Sequence, residues 1–211
     1  MSIEKHETSL QALQDIRSMM EKSARFLSLS GWSGVWAGCT AVAGSVIAYN
    51  WMHQGMPGGD ESYNARVCKF VSLAAVVFVV ALLGGFYFTW RKARQQGGSV
   101  WNAASRRMVV QIAIPLLAGG IFALQFLMND HIQYIAPACL AFYGLALING
   151  SKYTLSDIKY LGLCEVVLGC VCLFFPGNSL AFWCVGFGVL HILYGIIMWN
   201  KYDKNIGKAG A

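Results

Sequence analysis

The stretch that decides the fold is FVSLAAVVFVVALLGGFYFTW, residues 70–90, which carries no charged side chain. An α-helix rises about 1.5 Å per residue, so roughly 20 apolar residues cross about 30 Å of hydrocarbon. A helix also satisfies its own backbone polar groups, as a segment surrounded by lipid must. The run therefore predicts a transmembrane helix.

Five further apolar runs lie at residues 31–51, 108–128, 132–150, 158–175 and 180–199. The chain of 211 residues is 56% hydrophobic and 12% charged, with a mean hydropathy of +0.51. Six such helices in a soluble protein would leave almost no amphipathic surface to cover them. We therefore predict an all-α fold, a polytopic membrane bundle of six transmembrane helices.

The basic residues are distributed unevenly between the connections. If the N-terminus is cytoplasmic, all 16 Lys and Arg except Arg66 and Lys69 fall on the inner side. Such an excess on cytoplasmic loops sets the orientation of membrane proteins. We expect a multi-pass protein of the bacterial inner (plasma) membrane with both termini cytoplasmic. The net charge of +6 then reflects topology and anionic lipid, and no nucleic-acid partner is expected.

The densest basic segment, residues 91–107, contains no acidic residue. Clusters of this kind beside a membrane span bind anionic lipid headgroups. The predicted contacts are Arg91, Lys92, Arg94, Arg106 and Arg107. The alternative is that these charges only fix the topology.

The chain divides into residues 1–30, the transmembrane domain 31–199 and a cytoplasmic tail, 200–211. Within the first part, Thr8 and Gln11 fit a capping box, and apolar residues recur at steps of three and four. This pattern predicts a cytoplasmic amphipathic helix at the membrane surface. A partner-binding coiled coil is the alternative.

Glycines recur where helices are expected to touch. Gly34 and Gly38 form a small-xxx-small pair in the first apolar run, which allows close approach of two helices in lipid. We interpret this pair as packing within one chain. A seam between two copies, which would make the protein a homo-oligomer, is the alternative.

Glu165 and His191 form the one strongly ionisable pair deep in the apolar runs. Counting outward from the turn at residues 176–178 places them at the same depth in a helical hairpin. Each is framed at minus three and plus four by glycine, which predicts that the two glycine stripes face each other and that Glu165 accepts a hydrogen bond from His191. These glycines are Gly162, Gly169, Gly188 and Gly195.

Two interpretations of the pair stay open. A charge at this depth is costly, so a shared proton would stabilise the hairpin as a structural clasp in a dry seam. The same pair could instead be a proton-responsive or ion-relay site.

Other chemistry is weakly supported by the sequence. None of the seven cysteines forms a CxxC pair, and no nucleophile–base grouping, metal-ligand run or phosphate-binding loop is present. We therefore expect no catalytic residue, no metal and no cofactor, and a membrane-embedded enzyme is the least favoured class.

The segment LGLCEVVLGCVCLFFPGNSLAFWCVGFGVLHILYGI, residues 161–196, resembles the helix-PG-x-S-helix hairpin of HdeD-like small bacterial membrane proteins. That resemblance implies six spans and an association with acid stress. The match covers about a sixth of the chain, and Glu165 and His191 replace positions that are usually apolar there. The segment IRSMMEKSARFLSLSGWSGVWAG, residues 16–38, resembles the start of uncharacterised bacterial inner-membrane proteins with six helices.

These patterns favour a non-enzymatic integral inner-membrane protein with a structural, stress-related or regulatory role. The alternative is a small transporter or channel that uses Glu165 and His191 as an intramembrane polar site.

Overall fold

The structure is a computed structural model that describes residues 29–54, 62–95 and 101–204. The amphipathic helix predicted before the first apolar run lies outside these residues, as does most of the predicted tail. Apart from short connections, every segment within the described ranges is helical and none is a strand. The predicted all-helical fold is therefore confirmed.

Six helical rods follow one another along the described chain. Their bounds are α1 Gly31–Gln54, α2 Tyr63–Gln95, α3 Ala103–Met128, α4 Ile135–Gly150, α5 Ile158–Cys172 and α6 Pro176–Asp203. A 3₁₀ turn, Ile132–Tyr134, leads into α4, and another, Pro176–Asn178, begins α6. The second of these is the turn expected between the last two apolar runs.

Four of the rods are long and apolar enough to cross a membrane. They are α2, α3, α6 and the segment Ile132–Gly150, which includes α4. α5 has 15 residues, which corresponds to only about 22 Å of rise. α1 is long enough, but it interleaves glycine, serine and tryptophan with its apolar residues, which lowers its mean hydropathy. The number of crossings therefore stays a prediction.

The rods form two groups that α6 joins. α1 packs against α2 and along much of α6, whereas α4 packs against both α3 and α5. α6 also contacts α4 and α5, so it lies in the seam between the two groups. α2 and α3 lie at the periphery and leave most of their apolar side chains exposed.

Close helix contacts are made where glycine removes the side chain. A Cβ at Gly34 would lie 3.1 Å from the Gly195 Cα, and a Cβ at Gly162 would lie 2.6 Å from the carbonyl oxygen of Gly144. The first contact joins α1 to α6 and the second joins α4 to α5. Close backbone approach of this kind is how helices associate in lipid, where apolar surface gains nothing by leaving its surroundings.

α6 passes from α-helical to π-helical winding twice. Ser179–Trp183 and His191–Met198 are α-helical, whereas Cys184–Leu190 and Trp199–Asp203 are π-helical. A π turn widens the helix, because each N–H bonds to the carbonyl five residues earlier. His191 therefore begins a new α-helical segment directly after a wide turn.

Candidate functional site

The structure brings Glu165 and His191 together at the middle of the seam. Glu165 lies on α5 and is fully buried, and His191 lies on α6 with 6% of its surface exposed. The His191 Nδ1 is 3.4 Å from the Glu165 Oε1. The two side chains that the hairpin count placed at one depth are therefore adjacent in the structure.

A third residue, Tyr143 of α4, completes the site. Its hydroxyl lies 2.8 Å from the Nε2 of His191. The other ring nitrogen, Nδ1, lies 3.0 Å from the carbonyl oxygen of Gly186. Because a carbonyl only accepts, Nδ1 carries the proton and donates to Gly186, and in the neutral ring Nε2 accepts from the Tyr143 hydroxyl.

The expected hydrogen bond from His191 to Glu165 is therefore not the one that forms. The π turn Cys184–Leu190 presents the Gly186 carbonyl to the imidazole, and the single Nδ1 proton is used there. Neither carboxyl oxygen of Glu165 has a hydrogen-bond partner among the described residues. A buried carboxyl group without a hydrogen-bond partner is energetically costly, and such groups are few in native proteins.

The glycine stripes also differ from the expectation that they face each other. Gly162 and Gly169 of α5 pack against the backbone of α4, and Gly188 and Gly195 of α6 pack against α1. The side chains of Glu165 and His191 occupy the space between α5 and α6. Each glycine stripe therefore packs against a different helix, α4 or α1.

The glycine that does face the carboxyl group is Gly186. A Cβ at this position would lie 2.6 Å from the Glu165 Oε2. Leu140 of α4 is fully buried beside it, and the ring of Phe187 packs on those of Tyr143 and His191. The acid–imidazole site, formed by Tyr143, Glu165 and His191, is thus lined by apolar side chains and by the buried Gly186 carbonyl.

A second polar cluster lies at the end of the bundle that the sequence predicts to be cytoplasmic, where the charge pattern suggested only surface charge. The Lys92 Nζ is 2.6 Å from the Asp203 Oδ1 and 2.7 Å from the carbonyl oxygen of Leu29. The other carboxyl oxygen of Asp203 accepts from the Gly31 N–H at 3.0 Å and from the Ser30 hydroxyl at 3.3 Å. This cluster joins the ends of α1, α2 and α6.

The last turn of α6 also binds the other helix group. Lys201 and Tyr202 both donate to the Asp157 Oδ2, at 2.5 and 3.0 Å. The hydrogen bond from Lys201 holds the pKa of Asp157 below its ordinary value. Asp157 directly precedes α5, so one helical turn connects both halves of the bundle at this end.

The predicted headgroup contacts separate into two kinds. Arg91, Arg94, Arg106 and Arg107 are exposed, and the Arg94 guanidinium lies 5.0 Å above the centre of the Trp90 ring. Lys92 is different, because its ammonium group is turned inward to Asp203 and only 9% of its side chain is exposed. We therefore remove Lys92 from the set of headgroup contacts.

Metal binding and disulfide formation receive no support from the arrangement of side chains. Within the described ranges, no three His, Cys, Asp or Glu side chains cluster closely enough to hold a metal ion. All seven cysteines are free thiols.

Comparisons with protein-family models, curated proteins and solved structures find no match. The function is therefore inferred from the acid–imidazole site and from the surfaces around it.

Proposed function

We propose that this chain is a non-enzymatic, integral protein of the bacterial inner membrane. It crosses the bilayer six times, keeps both termini in the cytoplasm and has a regulatory, stress-related role. Its helix packing responds to protonation of the acid–imidazole site formed by Tyr143, Glu165 and His191. The observation that carries the proposal is the buried Glu165 carboxyl group, whose oxygens lack partners among the described residues.

Membrane insertion is supported by the peripheral helices. α2 and α3 expose large apolar side chains along most of their length, and no residue in the most apolar stretch of α2 is buried in the protein. Water would disfavour such a surface, since soluble monomers rarely expose more than a few hundred Å² of contiguous apolar area. α1 and α5 pack lengthwise against α6 and α4, so we place them in the same bilayer.

The site has two competing acceptors for one proton donor. The His191 Nδ1 lies 3.0 Å from the Gly186 carbonyl oxygen and 3.4 Å from the Glu165 Oε1. A neutral carboxyl group leaves the donor with Gly186. An ionised carboxylate attracts it, because an unpaired buried charge is strongly unfavourable and a charge-assisted hydrogen bond offsets part of that cost.

A change of acceptor would be transmitted to the backbone. Gly186 belongs to the π turn of α6, and its carbonyl oxygen lies 3.0 Å from the His191 Nδ1. When the His191 Nδ1–H donates its hydrogen bond to Glu165 instead of Gly186, the π turn loses a stabilising contact. The π segment is thus the element with two arrangements, and proton binding selects between them.

Few ionisable groups compete for this role. Against His191, α4 places the Tyr143 hydroxyl and α5 places the Glu165 carboxyl group, whereas α1 places Gly34 near the His191 backbone. The next described carboxylate toward the inner end is Asp157, which is held by Lys201 and Tyr202. Tyr143 and Glu165 are thus the ionisable side chains that face His191 among these contacts.

Hydrogen exchange of the protein in lipid vesicles tests this proposal. Backbone amides of residues 184–190 should change their protection between about pH 5 and pH 8 in the wild-type chain, the range over which histidine-linked switches act. The Glu165→Gln variant should show no such change, whereas Asp157→Asn, a matched change outside the site, should keep it. An unaltered pH response in Glu165→Gln would reject the proposal.

A transporter or channel is the second candidate, and one observation favours it. Polar contacts occur at three levels along α6: the Ser179 hydroxyl bonds to the Gln133 carbonyl, the acid–imidazole site follows, and Lys201 bonds to Asp157. A seam with polar groups at several depths is typical of proton pathways. Proteoliposomes loaded with a pH-sensitive dye separate the two functions, because only a transporter gives flux that Glu165→Gln abolishes.

A further inference from the structure

The peripheral helices carry two apolar stripes that run along their most exposed faces. On α3 the stripe side chains are between 56% and 72% exposed and recur in alternating steps of four and three. Its members are Val110, Ile114, Leu117, Ile121, Leu124 and Met128. On α2 a similar stripe consists of Val76, Val79, Leu83, Phe86 and Trp90. These steps keep each stripe on one face of its helix.

Each stripe ends in arginine at the inner end of its helix. Arg106 and Arg107 lie four and three residues before Val110, so they continue the α3 stripe. Arg94 lies four residues after Trp90 and stacks on its ring. We place these ends of α2 and α3 at the cytoplasmic surface.

The position of Arg106 is electrostatically unfavourable in the isolated chain. The first turn of α3 contains no acidic residue, although the N-terminus of a helix carries a partial positive charge that favours anions. Two guanidinium groups therefore add to a charge of the same sign. Within the described residues no carboxylate forms an ion pair with them. An anion from outside the protein would relieve this repulsion.

We propose that the α3 stripe, together with Arg106 and Arg107, binds an anionic phospholipid. The two arginines hold the phosphate group, and the apolar side chains of the stripe contact the acyl chains. The inference depends on the proposed insertion into a bilayer but not on the acid–imidazole site. Compared with the headgroup contacts predicted from the sequence, it names a specific ligand and leaves out Lys92. The charge pattern alone could not distinguish Lys92 from the arginines.

A second copy of the chain is a poorer occupant for two reasons. Helix interfaces in lipid are enriched in small residues, whereas these stripes consist mainly of Leu, Ile, Val and Phe. Two copies would also bring their arginines together. An anionic lipid matches both the charge and the apolar character of the surface.

The test is a titration of the full chain in neutral detergent with phosphatidylglycerol or phosphatidylcholine, with bound lipid counted by native mass spectrometry. Each basic residue near an anionic lipid surface contributes about 1 kcal/mol. The double variant Arg106→Gln, Arg107→Gln should therefore bind phosphatidylglycerol about thirtyfold more weakly. The matched control is Lys152→Gln, Lys159→Gln, which removes two exposed inner-side charges away from the stripes and should bind as the wild type does.

Several outcomes would overturn the proposal. Equal weakening in both double variants would show a general charge effect, and displacement of the lipid by inorganic phosphate alone would show a site for a free anion. A dimer that excludes lipid would assign the stripes to a second copy. Flotation of the wild-type chain with vesicles is measured first, so that failure to insert, which would reject the proposed function, is distinguished from insertion without lipid selectivity.

Discussion

The contact between α4 and α5 gives a sharp test of the fold. A Cβ at Gly162 would lie 2.6 Å from the carbonyl oxygen of Gly144 and 3.0 Å from the backbone nitrogen of Ile148. Both obstacles are backbone atoms of α4, so no side-chain rotation relieves them. The Gly162→Ala variant must therefore move the two helices apart.

The expected magnitude follows from a comparison with Gly120 of α3. A Cβ there would meet nothing within 4 Å, so Gly120→Ala changes helix propensity without creating a clash. Replacing glycine with alanine in a helix stabilises it by up to about 1 kcal/mol. Overpacking a close contact costs about 1 to 3 kcal/mol. Because the propensity gain is common to both variants, Gly162→Ala should be about 1 to 3 kcal/mol less stable than Gly120→Ala.

The assay is unfolding in mixed micelles, in which the fraction of a denaturing detergent is raised and helicity is followed by circular dichroism. The free energies of unfolding of the two variants are compared with that of the wild-type chain. Equal stability of Gly162→Ala and Gly120→Ala would refute the close packing of α4 on α5.

Three further outcomes are expected. The Lys92→Met variant should lose about 3 kcal/mol of unfolding free energy, because it leaves the mostly buried Asp203 carboxylate without its cation; thermal melts should show a far smaller loss for Lys201→Met, whose side chain is 55% exposed. As the pH falls below the ordinary aspartate range, the wild-type chain should lose stability relative to Asp157→Asn. The hydrogen bond from Lys201 depresses the folded-state pKa of Asp157. The ionised Asp157 carboxylate therefore stabilises the fold fully above that range, and this stabilisation is lost when the carboxylate is protonated. Parallel curves of stability against pH for the two proteins would contradict this. Trp36→Phe should cost about 1 kcal/mol in the same melts, since it removes the indole hydrogen bond to a carbonyl of α2, and an unchanged melting temperature would show that this bond contributes nothing.

Helix positions were the most predictable part of the fold. The fourth apolar run, 132–150, coincides with the 3₁₀ turn and α4, and the first, third and sixth runs lie within rods that extend at one or both ends. The fifth run ends later than α5 does, because the residues after Cys172 form the turn into α6. Hydrophobicity locates a helix well but marks its last turn poorly.

Helix rotation and side-chain partners were much less predictable. Residue counting across one tight hairpin placed Glu165 level with His191, but it could not show which neighbour each glycine stripe meets. Tyr143 lies on a different helix, and no sequence spacing connects it to the pair. The π turn that contains Gly186 also could not be recognised in the sequence. The residues around it are apolar, so the hydrophobic pattern shows no change there.

The charge distribution predicts the orientation of the chain in the membrane but not the direction of each side chain. The positive-inside rule counts Lys92 and Arg94 alike. In the structure Asp203, far away in sequence, binds Lys92, whereas Arg94 stays on the surface. Only the three-dimensional proximity of the ends of α2 and α6 separates these two residues.

The winding of α6 makes the position of His191 depend on chain length as well as on residue identity. A π turn holds one residue more than the α-helical path that it replaces, and each residue of an α-helix turns the chain by about 100°. Deleting one residue from Cys184–Leu190 would allow regular winding. Every side chain on one side of the deletion would then be rotated relative to those on the other, and the imidazole could no longer reach Tyr143 while α6 kept its contacts with α1. A chain shortened by one residue in this segment would thus fold into a similar bundle in which His191 is no longer placed beside Tyr143.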